Sequence, residues 1–318
     1  MRRSLIGIVF ILIGVFCSAV SVMKAMEMRT VWRDTAACSI DARTPADLGM
    51  LAFSYPDIKW TAYTQSAAQE VKHAEISNRM DAVPVLTYTG DPTRIAFLPL
   101  VSGRLPLNGE QGVCAIDERT AYRLFGSDDP AEASIRIDSK LLCVTGVVSA
   151  NSSFVLTPVN EGSKLDRLAT DNRGILDTLT LALGIEPDPY ELSGDEIVKL
   201  LWFLCAVPWL IAVMITLFRQ RKRVGAGRIV GTILLLMLIL SVVLMLVSCL
   251  PARLLPTRWS DLSFYGKQVI AFNARVFRAP DVRDKMIYSD VQHAVMLNIV
   301  TVITLGIGMS LARRSANQ

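Results

Sequence analysis

Four stretches of this chain are apolar over the roughly 20 residues that a bilayer core requires, and they restrict the chain to membrane folds. They run from Leu5 to Met23, Ile197 to Phe218, Ile229 to Leu250 and about Ala294 to Leu311. The one charge inside them is Lys199, which lies a turn from its segment's start and can extend its ammonium to the interface. The rest of the composition agrees: 52% of the 318 residues are hydrophobic and 19% charged. The mean hydropathy is +0.40.

Basic residues set the expected orientation. With a cytoplasmic N-terminus, the inner pieces are "MRRS", "RQRKRVGAGR" and "ARRSANQ", which hold nine Lys or Arg and no Asp or Glu. Residues 24–196 hold 16 Lys or Arg against 25 Asp or Glu. That asymmetry places the large acidic region outside and both chain ends in the cytoplasm of a multi-pass protein of the cell membrane. The overall charge of +4 therefore hides two opposed parts, and the basic one suits anionic headgroups of the lipid bilayer, not nucleic acid. A cleaved signal peptide ending near Cys17 and Ala19 is the alternative for the first segment. The apolar run through Val20, Val22 and Met23 suits a retained anchor better.

The expected fold class is an α+β extracytoplasmic domain inserted between the helices of a four-span α-helical membrane bundle. In order, the chain reads as an anchor over 1–23, the α+β domain over 24–196 and two spans over 197–250. A short basic loop at 219–228 joins those two spans. A second outer segment covers 251–292, and a last span with its tail covers 293–318.

Within the domain, "IKWTAYTQSAAQEVKH", "DAVPVLTYTG", "QGVCAID", "ASIRID" and "LLCVTGVVS" read as strands of a mixed or antiparallel sheet. The last two are separated by Ser139 and Lys140, which suits a tight hairpin. Asp117 is placed to cap a short helix through "ERTAYRLFG", with Ala121, Leu124 and Phe125 on one face and Gly126 at its end. "RGILDTLTLALG" reads as a further helix. In the second outer segment Trp259, Leu262, Tyr265, Val269, Phe272 and Val276 recur at helical spacing, with Lys267, Arg275 and Arg278 for the polar side. That amphipathic helix lies either on the outer leaflet or under the large domain.

Cys114 and Cys143 each fall in an apolar strand-like run on the outer side, where disulfides persist, so a cross-strand pair is one option for them, which distance decides. His73 and His293 are the only histidines, and neither has Cys or carboxylate neighbours at metal-ligand spacing. His73 reads as a polar residue at a strand end, Asp128-Asp129 as turn chemistry before Pro130, and Ser139-Lys140 as an exposed turn. No metal, cofactor or enzymatic activity is expected. With no ionisable residue deep in any span, proton- or ion-coupled transport is disfavoured. Thr304, Gly308 and Ala312 share one face of the last span, which favours close helix packing or a homodimer seam.

One ordered set of residues carries a family resemblance. Gly103-Arg104, Val113-Cys114-Ala115-Ile116, Ala121, Leu124-Phe125-Gly126, Pro130, Ile135, Ile137 and Val144-Thr145-Gly146-Val147 follow one another over about 45 residues. In that order and spacing they resemble the outer core domain of MacB-like ABC transporter permeases. One helix, a large outer domain and three more helices is also the layout of the MacB- and FtsX-like group. The resemblance implies a permease subunit whose outer domain meets a partner or substrate and whose helices couple it to a separate cytoplasmic ABC ATPase, with a second permease chain or a homodimer. No Gly-rich phosphate loop with Lys-Ser or Lys-Thr is present, so ATP hydrolysis would belong to the partner.

Two departures stand. The family has a Gly two residues after the turn proline, where this chain has Glu132. The inner loop with Arg219, Arg221, Lys222 and Arg223 is ten residues, at most about 15 Å as helix, and serves either as an ATPase-docking element or as a topology anchor. A non-transporting, membrane-anchored binding or assembly protein that has lost ATPase coupling is therefore the second reading.

Overall fold

The computed structural model describes residues 2–32, 35–76, 78–96, 98–130, 133–160, 162–185, 193–220, 263, 266–267, 270 and 281–316. The chain divides into two compact units, one of Met1–Thr30, Asp195–Gln268 and Asp290–Gln318, the other of Val31–Gly194 and Val269–Ser289.

The second unit is a mixed α+β domain. Its strands are β1 (Ala36–Arg43), β2 (Trp60–His73), β3 (Met80–Gly90), β4 (Leu100–Gly103), β5 (Val113–Asp117), β6 (Ser134–Ile137), β7 (Lys140–Val148), β8 (Val155–Pro158) and β9 (Leu165–Thr170). Helices α2 (Pro45–Ser54), α3 (Glu118–Phe125) and α4 (Arg173–Ala182) pack on them. The order across the sheet is β1-β9-β2-β3-β8-β5-β7-β4, with β6 joining β7 back to β2. The path β2-β3-β8-β5-β7-β6 therefore returns to its start, which removes open edges from six strands. Among the described strand pairs only β3–β8 and β5–β7 are parallel.

The long strand β2 belongs to both halves of the domain. Its first residues, Trp60–Tyr63, pair with β9, and its last, Val71–His73, pair with β6. Opposite it, Pro84 has no N–H to give the ladder, and the register shifts between Gln65 and Ala68 at that place. The Ser66 hydroxyl takes over locally, accepting the Val85 N–H at 3.1 Å. Two cores result. One surrounds Val85, Ile116, Leu124, Ile135 and Val147 inside the closed ring. The other joins β1, β2 and β9 to α2 and α4 through Cys38, Leu48, Leu168, Leu176 and Leu179.

The local signals around α3 act as expected. The Asp117 carboxylate accepts the N–H groups of Arg119 and Thr120, and Gly126 closes the helix at φ +75°. Burial pushes the Asp117 carboxyl above its ordinary range, while bonds from the Thr120 hydroxyl and the Phe154, Thr120 and Arg119 N–H groups pull it back. The β6–β7 hairpin turns one residue earlier than expected: Ile137 pairs with Lys140, and Asp138 takes the positive φ of +51°. Helix α2, unmarked by any strong hydrophobic period, starts on a capping box between Thr44 and Asp47 with Pro45 in its first turn.

The first unit contains three described helices. Helix α1 (Arg2–Trp32) carries a span, Ile6–Trp32, long and apolar enough to cross a membrane, and α6 (Val282–Ala316) carries another, Val282–Leu311. Helix α5 (Gly194–Gln220) contains the apolar stretch Ile197 to Phe218. The expected span Ile229 to Leu250 lies outside the described residues. Helix α1 continues nine residues past Met23, because "KAMEMRTVW" holds no glycine or proline to stop it.

Inside this unit α1 and α6 run antiparallel. Lys24 pairs with Asp290 at 3.2 Å, Ser21 contacts the Ala294 carbonyl and the Asn298 amide, and Gly14 lies against Thr304 and Leu305. Gly308 abuts Ile11 and the Gly7 carbonyl, so the small face of the last span is used for packing within the chain. Buried positions on α1 (Gly14, Ser18, Ser21, Ala25, Met28) and on α6 (Val291, Ala294, Asn298, Thr301, Leu305, Gly308) alternate at spacings of three and four. That is a coiled-coil seam. Helix α5 joins it through Cys205 beside Ser21 and through the Trp209 indole N–H donated to Ser18 at 2.7 Å.

Candidate functional site

A buried polar node stands where the last helix begins. Tyr63 and Gln65 are alternate residues of β2 and so face one side of it, and Arg167 on β9 is the cross-strand partner of Tyr63. Asp281 immediately precedes α6. One of its carboxylate oxygens accepts the Tyr63 phenol at 3.1 Å and pairs with Arg167 at 3.4 Å. The other accepts the Arg283 N–H at 3.3 Å. Gln65 Oε1 accepts the Val282 N–H at 2.6 Å. The first N–H groups of a helix have no partner within it. Here two of them are taken up by Asp281 and by a strand residue 217 positions away.

Tyr63 is fully buried and Asp281 is 2% exposed. Burial first, and the Asp281 charge second, push the Tyr63 hydroxyl well above its ordinary range, so it stays a donor. A buried pair of this kind binds strongly only while complete: removing one partner strands the other and costs about 3–5 kcal/mol. The Tyr63 hydroxyl donates to a carboxylate, but it is fully buried and holds its proton. The node's chemistry is attachment.

The motif residues gather at a second place, the crossing of β4 over β7. Gly103 pairs with Gly146. A Cβ on Gly103 would run into the Thr145 carbonyl, and one on Gly146 into the Arg104 carbonyl. Both positions need glycine for backbone approach, and Gly103 needs it also for its φ of +70°. Arg104 forms a two-pronged pair with Glu110 at 2.8 and 2.9 Å, and Glu110 also accepts the Leu107 N–H, which closes the loop after β4. These contacts, the guanidinium first, hold the Glu110 carboxyl below the usual range. An open cavity of about 260 Å³ lies alongside, bordered by Ser102, Arg104, Asp129, Pro130, Cys143 and Thr145.

The cross-strand disulfide is not formed: Cys114 and Cys143 are both free thiols. Cys143 stands opposite Val113 and Cys114 opposite Val144 on parallel strands, so the two cysteines point to opposite faces. Burial pushes the Cys114 thiol far up. His73 does end a strand, its Nδ1 accepting the Glu75 and Ile76 N–H groups. Arg219 lies in the last turn of α5, while Arg221, Lys222 and Arg223 lie outside the described residues. So do Trp259, Leu262, Tyr265, Val269, Phe272 and Val276 of the expected outer helix. Tyr63, Gln65, Arg167 and Asp281 carry no sequence motif. The one readable signal is Pro280-Asp281 ahead of a long apolar run, a helix-start pattern.

Comparison with known proteins gives solved structures alone. The chain is similar to the extracellular domain of the noncanonic ABC-type transporter YknZ from Gram-positive bacteria, at 14% identity and a TM-score of 0.39. That match covers 48% of this chain and 96% of that one. It is also similar to the periplasmic region of MacB from Actinobacillus actinomycetemcomitans, at 16% identity and a TM-score of 0.40, over 50% of this chain and 89% of that one. Each is a likeness over about half of the present chain. No family model matches, and no curated protein does.

Proposed function

We propose that this chain is an ABC-transporter permease-like subunit of the cell membrane. Its mixed domain lies outside the cytoplasm, binds a partner or substrate, and passes the binding event to a separate cytoplasmic ATPase through the helices. The observation that carries the reading is the node. A domain that only needed display could hang from a flexible linker, whereas here Tyr63, Gln65 and Arg167 grip the first turn of an apolar helix through Asp281 and the Val282 N–H. The ordered motif from Gly103 to Val147 and the acidic-outside, basic-inside charge pattern support it.

A second reading, a membrane-anchored binding or assembly protein without ATPase coupling, is favoured by one feature. Helix α5 stays helical through Gln220, which leaves eight residues before the apolar stretch at Ile229. Purification of the full chain from membranes in mild detergent separates the two. The permease reading predicts a co-purifying nucleotide-hydrolysing subunit that is lost when Arg219, Arg221, Lys222 and Arg223 are replaced together by Gln. A chain that comes alone, or with non-hydrolysing proteins only, supports the assembly reading and rejects the first.

A further inference from the structure

Among the described strands, β1 and β4 stand at the two ends of the sheet order, each with one open edge. An open edge offers its backbone N–H and C=O groups to any strand that arrives, and proteins guard such edges with charge, proline or brevity. Strand β1 ends in Asp41, Ala42 and Arg43, so charge guards it. Strand β4 is guarded by its length of four residues and by the register shift between Leu100 and Ser102. None of its four residues is charged. Leu100 is 48% exposed and its neighbour Val101 41%, so solvent reaches both faces of the strand. Among the described residues β7 is the one strand partner of β4.

The cavity of about 260 Å³ opens beside β4 and is bordered on another side by Asp129 and Pro130. Small-molecule sites take roughly 300–1,000 Å³. This one is smaller, the size for one long side chain and not for a whole ligand. Its wall includes Pro130, Val144 and Val147, and its two charged residues are Arg104 and Asp129. The Arg104 charge is already met by Glu110. Asp129 is exposed and gives its N–H to the Ser127 hydroxyl, while among the described residues no cation pairs with its carboxylate. The charge left over in the wall is therefore negative. It suits the ammonium or guanidinium end of a long side chain whose apolar stem lies against the valines. Residues 24–196, with 16 Lys or Arg against 25 Asp or Glu, draw a basic partner in the same direction.

We propose that β4 and this cavity form a docking site for an extended segment of a partner protein. The segment pairs with β4 as an added strand, and one of its lysine or arginine side chains enters the cavity and meets Asp129. The proposal rests on what both functional readings share, a domain that binds a partner. Its test involves no ATPase, so its outcome and that of the co-purification are independent.

The test uses the full chain in detergent and a fluorescent seven-residue peptide that alternates threonine and valine around a central lysine, with a norleucine-centred twin. Fluorescence anisotropy should show saturable binding of the lysine peptide, about fivefold tighter than its twin, the upper range for an exposed ion pair. Asp129→Asn should remove that preference and leave the twin's affinity unchanged. Methylating the peptide's alternate backbone nitrogens should abolish binding for one of the two sets and spare it for the other, because an added strand turns one edge to β4. Cys143, a free thiol in the cavity wall, locates the peptide: its alkylation should slow when the lysine peptide is bound. No binding up to about 1 mM overturns the proposal. So does a preference for lysine that is absent from the parent or survives Asp129→Asn. Equal effects of the two methylation patterns, or a Cys143 that the bound peptide leaves unprotected, overturn it as well.

Discussion

Around Ile116, Leu124, Ile135 and Val147 the mixed domain packs aliphatic side chains against each other inside a closed ring of strands. Between α1 and α6 the contacts include Ser21, Asn298, Thr304 and glycines beside apolar residues such as Ile11 and Leu305. The first arrangement tolerates no displacement, because ladder hydrogen bonds and interlocking side chains break together. The second is held more weakly, since lipid is as apolar as leucine and each small polar contact contributes little. The contrast is between a core fixed by shape and a seam held by small polar contacts. The node at Asp281 belongs with the first kind: buried, charged and built from groups on three separate segments.

The largest expected effect is therefore at the node. Asp281→Ala removes the acceptor of the fully buried Tyr63 hydroxyl, the ion pair to Arg167 and the acceptor of the Arg283 N–H, and should cost the domain about 4 kcal/mol, read as denaturant unfolding of the full chain in detergent. Next, Leu124→Ala, which opens a hole in the ring core, should cost about 3 kcal/mol by the same measurement. Ser21→Ala in the seam should cost only about 0.6 kcal/mol. If Ser21→Ala proves as damaging as Leu124→Ala, the contrast between tightly locked domain and weakly held seam is broken.

A pH titration sharpens the domain side. Because the folded state raises the Asp117 carboxyl, this group's favourable contribution is complete below its unfolded value near about 3.9 and is lost as pH rises through the raised folded value. Asp117→Asn removes that loss. The variant's stability relative to the parent should thus improve as pH rises from about 4 and level off above the raised folded value, while an unchanged difference would mean that Asp117 is not desolvated.

Much of the domain is legible in the sequence, because its signals are local. Strands β2, β3 and β5 announce themselves by β-rich runs, and α3 by Asp117 and Gly126 at its two ends. Helix α2 hides because it buries only Leu48 and Leu51, so its period is faint and its capping box is the stronger sign. The glycines at 103 and 146 are visible as motif, yet the reason for them, two backbones crossing, emerges only when β4 lies on β7. The node is the least legible part: Tyr63 and Asp281 are 218 positions apart, and nothing local marks either as the other's partner. The cysteine pair misleads for a related reason, since strand neighbours one position out of step face opposite ways.

The attachment of the sheet to α6 is most directly measured by a double-mutant cycle on Arg167→Met and Asp281→Asn, following unfolding of the full chain in detergent. A coupling of about 2 kcal/mol is predicted for an ion pair whose carboxylate is buried and whose guanidinium is partly so. A coupling indistinguishable from zero would mean that strand and helix do not grip each other, and would contradict the account.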